Sequence, residues 1–294
     1  MPAPTKSAFA KLRTAARALA ALVRTPALLT EVLAADTAAW QARARAAAAR
    51  WPGLRLHAAA GLPLVPLAHF VPPGALPAAR LVSPYAFGEG GSLPTDLLLL
   101  RALARQTPGC RYFEIGTWRG ESAANVAAEA AHVHTLNLSA AEMRALHLPE
   151  AYIGLHGFFS KSLPNVTHLH GHSASFDLAA LAAEAGPFNL IFIDGDHHYE
   201  AVRQDTARVF AHLVGPTTVV VWHDASRQPG QPRWEVLAGL LAGLPSGLPG
   251  QLAQVGNTLC AVYSPQVLPT QVPDPYAAPT CFGVEVTPTK GQRS

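Results

Sequence analysis

Apolar residues along this chain follow two alternating patterns: short continuous runs, and longer stretches rich in alanine and leucine with charged residues at helical spacing. Short runs bounded by turn formers read as strands buried on both faces. Arg111–Ile115, Val133–Leu138, Val166–Ser173, Asn189–Asp194 and Thr217–Trp222 are of this kind. Helices are predicted between and after them, over Glu121–Ala131, Ser139–His147, Asp177–Ala185, Tyr199–Leu213 and Arg233–Leu244. Ser139 and Glu142, three residues on, form a capping box. A further helix, Thr95–Arg105, precedes the first strand with Thr95 or Asp96 as its cap. Two last strands, Leu252–Gly256 and Thr258–Tyr263, turn around Gly256 and Asn257 as a hairpin. Strands that alternate with helices give a parallel sheet covered on both faces, and the hairpin makes one edge antiparallel.

The expected fold is therefore α/β, a Rossmann-like, doubly wound sheet of seven strands with an N-terminal helical extension. Alanine, leucine and arginine dominate Ser7–Val23 and Pro26–Trp51, which favours helix, and Thr25 with Pro26 suits the cap and first position of the second. Pro- and Gly-rich residues 52–95 read as a connector, and the Pro-rich end as a tail. The chain thus divides into residues 1–94, a sheet domain over 95–265, and 266–294.

With 294 residues, 49% hydrophobic and only 14% charged, the composition is that of a globular protein with a sizeable core. The net charge of +3 conceals an asymmetry, because residues 1–60 carry nine Lys or Arg against two acids and the remainder thirteen against seventeen. A basic helical face of this kind is usually the solvated side of a packed helix; peripheral contact with anionic lipid is the less favoured use, and nucleic acid is not expected as a partner. Cys110, Cys260 and Cys281 stand far apart, which argues against a disulfide scaffold and for a reducing cytoplasm. No apolar run reaches the length of a membrane span, and Lys11, Arg13, Arg17 and Arg24 interrupt the apolar start, so a cleaved signal peptide is not expected.

Ligands on such a sheet gather at the carboxyl ends of the strands. Glu114–Gly120, Asn137, Gly171–Ser173, Asp194–His198, and His223 with Asp224 all fall on that rim. The glycines follow E-x-G-x-x-x-G from Glu114, and a carboxylate at a strand end repels phosphate and attracts a cation. The same glycines also suit a purely structural turn. His168, His170 and His172 alternate on one strand face, a spacing that zinc could use.

E-x-G-x-x-x-G after the first strand, IDGDHHYEAV after the fourth, VVWHD after the fifth and the closing hairpin together resemble a class I S-adenosylmethionine-dependent methyltransferase. The resemblance covers roughly residues 95–265 and is closest to the branch with I-D-G-D-H-x-Y-E after the fourth strand, found among O-methyltransferases of sugars and other small natural products. It implies S-adenosylmethionine as cofactor, with Glu114, Gly116, Thr117, Trp118 and Gly120 along its methionine part. Asn137 stands where the family usually places an acid on the ribose, His172 and Ser173 stand near the adenine, and Asp194, Gly195, Asp196 and His197 complete the cofactor site.

His197 is the candidate general base, with Asp196 beside it to hold its tautomer, and Asp194 and Asp224 share the catalytic rim. Some relatives hold a divalent metal at the last two positions; here Ala225 replaces the expected asparagine, and Mg²⁺ on Asp194 and Asp224 is the corresponding metal expectation. The implied partner is a small-molecule acceptor, a sugar or natural product bound by residues 52–94, 149–164 and 225–232, and a homo-oligomer is compatible with the sequence. Two other classes stay open: a metal-dependent phosphoesterase resembling the DHH family through Asp196, His197 and His198, and a non-catalytic binding module attached through the basic N-terminus.

Overall fold

The computed structural model describes residues 26–58, 60–72, 81–88, 90–274 and 280–287. The helix expected over Ser7–Val23 and the Thr25 cap lie outside these residues. In chain order the elements begin with α1 (Pro26–Ala48), β1 (Leu64–Val65), α2 (Leu67–Phe70), α3 (Pro94–Arg105), β2 (Arg111–Ile115), α4 (Glu121–Ala127), β3 (His132–Asn137), α5 (Ala140–Ala145) and α6 (Glu150–Leu155). They continue with β4 (Val166–His170), α7 (Leu178–Ala185), β5 (Phe188–Ile193), α8 (Tyr199–His212), β6 (Val214–Trp222), β7 (Ser226–Gln228), β8 (Gln231–Pro232), α9 (Trp234–Gly243), β9 (Gln251–Val255) and β10 (Ala261–Ser264).

The central sheet runs β1-β9-β10-β6-β5-β2-β3-β4, and β7 with β8 forms a separate ribbon. β10 is antiparallel to both of its neighbours, while the other pairings are parallel. The sheet therefore has eight strands where the sequence predicts seven. The extra one, β1, comes from the expected connector and sits parallel beside β9, through Gln254 N to Pro63 O at 2.8 Å and Gly256 N to Val65 O at 2.9 Å. Two residues between prolines give no periodicity to read, and prolines suit only such an edge position.

Alternate residues of each strand feed two cores. Phe113, Ile115, Ile191, Ile193, Val220 and Trp222 face α1, α7, α8 and α9, whereas Tyr112, Leu190, Phe192 and Val221 face α2, α3 and α4. Ala44 and Ala48 of α1 are buried in the first of these cores, and the Trp40 ring lies tilted against Tyr199, which opens α8, with centroids 5.3 Å apart. No helix among the described residues is long and apolar enough to cross a membrane.

Helix termini follow the local chemistry. Ser139 and Glu142 make the expected capping box before α5. Asp177 caps α7 through Ala180 N at 2.9 Å. At α3 it is Asp96, within the first turn, that reaches back to Leu93 N at 2.6 Å. α4 stops at Ala127, short of the expected Ala131, where Asn165 Nδ2 binds the carbonyls of Ala127 and Ala130.

The chain passes from β2 to β3 and β4 on one side, and places β5 and β6 on the other. The crevice between the carboxyl ends of β2 and β5 is thus the switch point where such sheets bind ligands.

Candidate functional site

Two loops meet at that crevice, one after β2 and one after β5, joined by Asp194 N to Ile115 O at 2.8 Å. Their closeness depends on Gly116, whose φ is +99°. A Cβ there would lie 1.9 Å from the Asp194 carbonyl oxygen. At Gly120, with φ +78°, it would lie 2.1 Å from Ser160 Oγ. The room that these glycines leave is therefore filled by the protein's own loops, and any ligand contact here runs through backbone groups. The segment after α6 docks on the same turn, with Gly157 N on Trp118 O at 2.7 Å and Phe159 N on Arg119 O at 2.9 Å. Trp118, at φ +42°, stacks on Tyr152 with ring centroids 4.3 Å apart.

Glu114 is fully buried beneath this turn. Tyr112 Oη and Thr135 Oγ1 each donate to it at 2.7 Å, and Thr117 Oγ1 lies 2.5 Å from Thr135 Oγ1. Burial pushes its carboxyl up to about 7, against the lowering effect of hydrogen bonds from Tyr112, Thr135 and Ser122, with the charge of Asp194 adding to the rise. A carboxyl whose folded pKa exceeds its unfolded value contributes stability fully below about pH 4.5, and that contribution is lost as pH rises towards 7. The expected loss between pH 4.5 and 7.5 is on the order of 3 kcal/mol relative to Glu114→Gln, read from urea unfolding at the two pH values. Equal slopes for both proteins would mean that Glu114 titrates normally.

On the β5 side, the expected pairing of Asp196 with His197 is not what the fold makes. Asp196 Oδ1 instead accepts from His198 N at 2.9 Å and lies 2.5 Å from His198 Nδ1, raising the pKa of that exposed imidazole. The loop turns the next side chain the other way, so that His197 Nδ1 faces Asp224 Oδ2 at 3.8 Å, with its ring stacked on His198. Asp224 takes φ +55°, a strained backbone for a residue with a side chain and of the kind that concentrates at working sites. Arg233 Nη1 lies 3.3 Å from its other oxygen. Burial raises the Asp224 pKa, but the hydrogen bond and charge of His223, with Arg233 and His197, outweigh it and hold the group below its ordinary value.

His223 is the residue whose role the sequence reading left unassigned. β6 carries it to the rim: Trp222 Nε1 is fixed to Thr206 Oγ1 of α8 at 2.9 Å, and His223 N to Ile193 O of β5 at 3.0 Å. It lies buried among three carboxyl groups, with Nε2 3.1 Å from Asp96 Oδ2, and Nδ1 3.0 Å from Asp194 Oδ1 and 3.5 Å from Asp224 Oδ2. Burial lowers its pKa, but Asp194, Asp224 and Asp96 together carry it well above the usual imidazole value. Asp194 is raised, by burial against the opposing charge of His223. The signal was at the end of the strand, since VVWHD places His223 directly after Trp222, two residues on from the buried Val221. Ala225, in the expected asparagine's place, is buried in the apolar core.

The remaining candidates sit farther along the rim. Asn137 ends β3, with Nδ2 on Leu138 O at 3.2 Å. His172 is exposed and accepts from Ala174 N through Nδ1 at 3.1 Å, while Ser173 O receives Arg208 Nε at 3.0 Å. A Cβ at Gly195 would lie 3.2 Å from Ile115 Cγ2 and 3.4 Å from Asp205 Oδ2. His168 is engaged with Ser160 Oγ at 3.2 Å, and among the described residues the group able to hold a metal is Asp194, His223 and Asp224, not the alternating histidines.

Residues 113–225, which span both loops, match the family model described as a methyltransferase domain. Over that stretch the chain is similar to a methyltransferase domain. No curated protein sequence matches significantly. Among solved structures it is similar to a methyltransferase of Podospora anserina bound to S-adenosylhomocysteine, at 18% identity over 59% of this chain and 79% of that one, TM-score 0.42. An O-methyltransferase from Bacillus cereus in complex with S-adenosylhomocysteine shares 17% identity over 60% and 84%, TM-score 0.43. An O-methyltransferase from Streptomyces achromogenes involved in tomaymycin synthesis shares 20% over 59% and 81%, TM-score 0.40.

Proposed function

We propose that the chain transfers a methyl group from S-adenosylmethionine to a hydroxyl of a small molecule, a sugar or another natural product. The observation that carries this reading is the meeting, at the switch point of a matched methyltransferase domain, of the glycine turn after β2 with the acid-bearing ends of β5 and β6. Asp194 and Asp224 give this crevice an acidic character that suits a sulfonium and opposes a pyrophosphate.

In this reading backbone groups of Gly116, Thr117, Trp118 and Gly120 hold the methionine end, Asn137 the ribose, and His172 and Ser173 the adenine side, with Gly195 and Asp196 in the opposing loop. When bound, the cofactor supplies an electrophilic methyl carbon whose bond to sulfur breaks as the bond to the acceptor oxygen forms. His197 takes the hydroxyl proton at Nε2, its Nδ1 being turned to Asp224. Asp194 and Asp224 are suited to hold a divalent cation, the magnesium of the sequence expectation, beside the acceptor.

Calorimetric titration with S-adenosylhomocysteine, with chelator present, tests the reading. Binding in the micromolar range is expected. Binding of Mn²⁺ without any binding of S-adenosylhomocysteine would favour a phosphoesterase, and binding of neither would favour a non-catalytic module.

A further inference from the structure

The polypeptide that leads into α3 is strapped across the start of α4. Asn125, fully buried, accepts from Ser83 N and donates to Pro84 O, each at 2.8 Å. Glu121, also buried, accepts from Ala86 N at 2.7 Å and pairs with Arg119, whose Nη2 reaches Gly88 O at 3.3 Å. A Cβ at Gly88 or Gly91 would lie 2.5 or 3.0 Å from the Arg119 guanidinium, so the strap lies flat on that side chain. At Gly90 it would lie 3.6 Å from Trp118 Nε1. The strap thus borders the glycine turn after β2.

This strap carries two rings. Tyr85 and Phe87, two residues apart, meet edge to face with centroids 4.6 Å apart. Phe87 takes φ +52°, which a bulky side chain rarely adopts, and it is 69% exposed. An apolar ring held in water on a strained backbone is the kind of feature that collects at ligand contacts. Tyr85 is half-buried. Burial raises its hydroxyl pKa, and the charges of Glu121 and Asp96 add to the rise against Arg119, so the ring stands near the first turns of both α3 and α4. Asp96 is itself the partner of His223 at the acidic rim. Beyond the glycine turn the row of rings continues with Trp118 and the partly exposed Tyr152 stacked on it.

We propose that Tyr85 and Phe87 are specificity-determining residues that form a stacking wall for the methyl acceptor, and that this acceptor is an aromatic hydroxyl compound and not a polyhydroxylated sugar. The inference rests on the proposed methyl transfer and narrows its substrate. A sugar carries hydroxyls around its whole edge, and each one withdrawn from water needs a new partner. The two rings offer apolar carbon and a single hydroxyl, while Glu121 and Asn125 beneath them are engaged by the strap's own backbone. An arene needs apolar area and an edge-to-face or offset neighbour, which Phe87 presents. With its ring against the strap, its one hydroxyl is left to face the rim of Asp194, His197 and Asp224.

The test uses the full chain loaded with S-adenosylhomocysteine and two probes, 2-naphthol and methyl glucoside, titrated separately by calorimetry. One 2-naphthol per chain is expected, bound at least ~10-fold more tightly than the glucoside. Phe87→Ala is expected to weaken 2-naphthol by ~10-fold or more and to leave S-adenosylhomocysteine affinity within about threefold, and Phe87→Tyr, which keeps a ring, to bind 2-naphthol within about threefold of the unmodified chain. Equal affinity for the two probes, or no binding of 2-naphthol at millimolar concentration, would overturn the inference without reference to any variant. Unchanged 2-naphthol affinity in a folded Phe87→Ala would do the same. S-adenosylhomocysteine separates the two readings: bound by a chain that shows no arene preference, it removes only the aromatic acceptor; not bound at all, it removes the methyl transfer and the acceptor with it.

Discussion

His197→Ala is expected to lower kcat by about 10²- to 10⁴-fold, the range that a positioned general base supplies, while leaving the affinity for S-adenosylhomocysteine within about threefold. The split follows from geometry: His197 reaches the site from the β5 loop towards Asp224, and its removal takes away a proton acceptor rather than a wall of the cofactor crevice. His198→Ala is the matched control. That ring is also exposed and stacks on His197, but Asp196 holds it through Nδ1, and its loss is expected to change kcat by less than about threefold. Asp224→Asn should fall between the two, because it removes the charge that orients His197 and leaves the base in place. Comparable losses from the two histidine variants would remove the base assignment, and a fall in cofactor affinity that matched the fall in kcat would make His197 a binding residue.

How far the sequence could be read depended on how much of each element's chemistry was local. Most of the central strands and their helices were legible because each is a short apolar run bounded by turn formers or a helical stretch with its own cap; the box at Ser139 and Glu142 needs only four residues to declare itself. α6 was not legible, since Ile153 is its one buried side chain and six residues give no period. β1 was hidden for the same reason, two residues being specified by the edge of β9 and not by themselves. At the site, the identity of the rim residues was readable from strand ends, but their pairings were not. Whether Asp196 meets His197 or its neighbour is decided by one turn of the loop, and His223 acquires its carboxylates from α3 and β5, 127 and 29 residues away in sequence. Asp96 was named only as a helix cap, although that same side chain also orients the buried imidazole.

Gly116→Ala is expected to destabilise the fold by several kcal/mol and, at the same temperature, to abolish S-adenosylhomocysteine binding. A methyl at this position meets backbone, not ligand: the Asp194 carbonyl oxygen at 1.9 Å and its carbon at 2.5 Å, neither of which belongs to a flexible side chain. Relief requires the β2 and β5 loops to part, which breaks the Asp194 N to Ile115 O hydrogen bond and displaces Asp194 from His223. The φ of +99° adds strain that alanine cannot relieve in place. A fall in Tm on the order of 10 °C by calorimetry is therefore expected for a chain of this size. Gly195→Ala on the facing loop is the milder counterpart, because its Cβ would come no closer than 3.2 Å, to the Ile115 side chain, and Gly195 is not among the glycines with positive φ. An unaltered Tm in Gly116→Ala combined with lost cofactor binding would mean that the space beside Gly116 belongs to the ligand after all, and that the two loops stand farther apart when the crevice is filled.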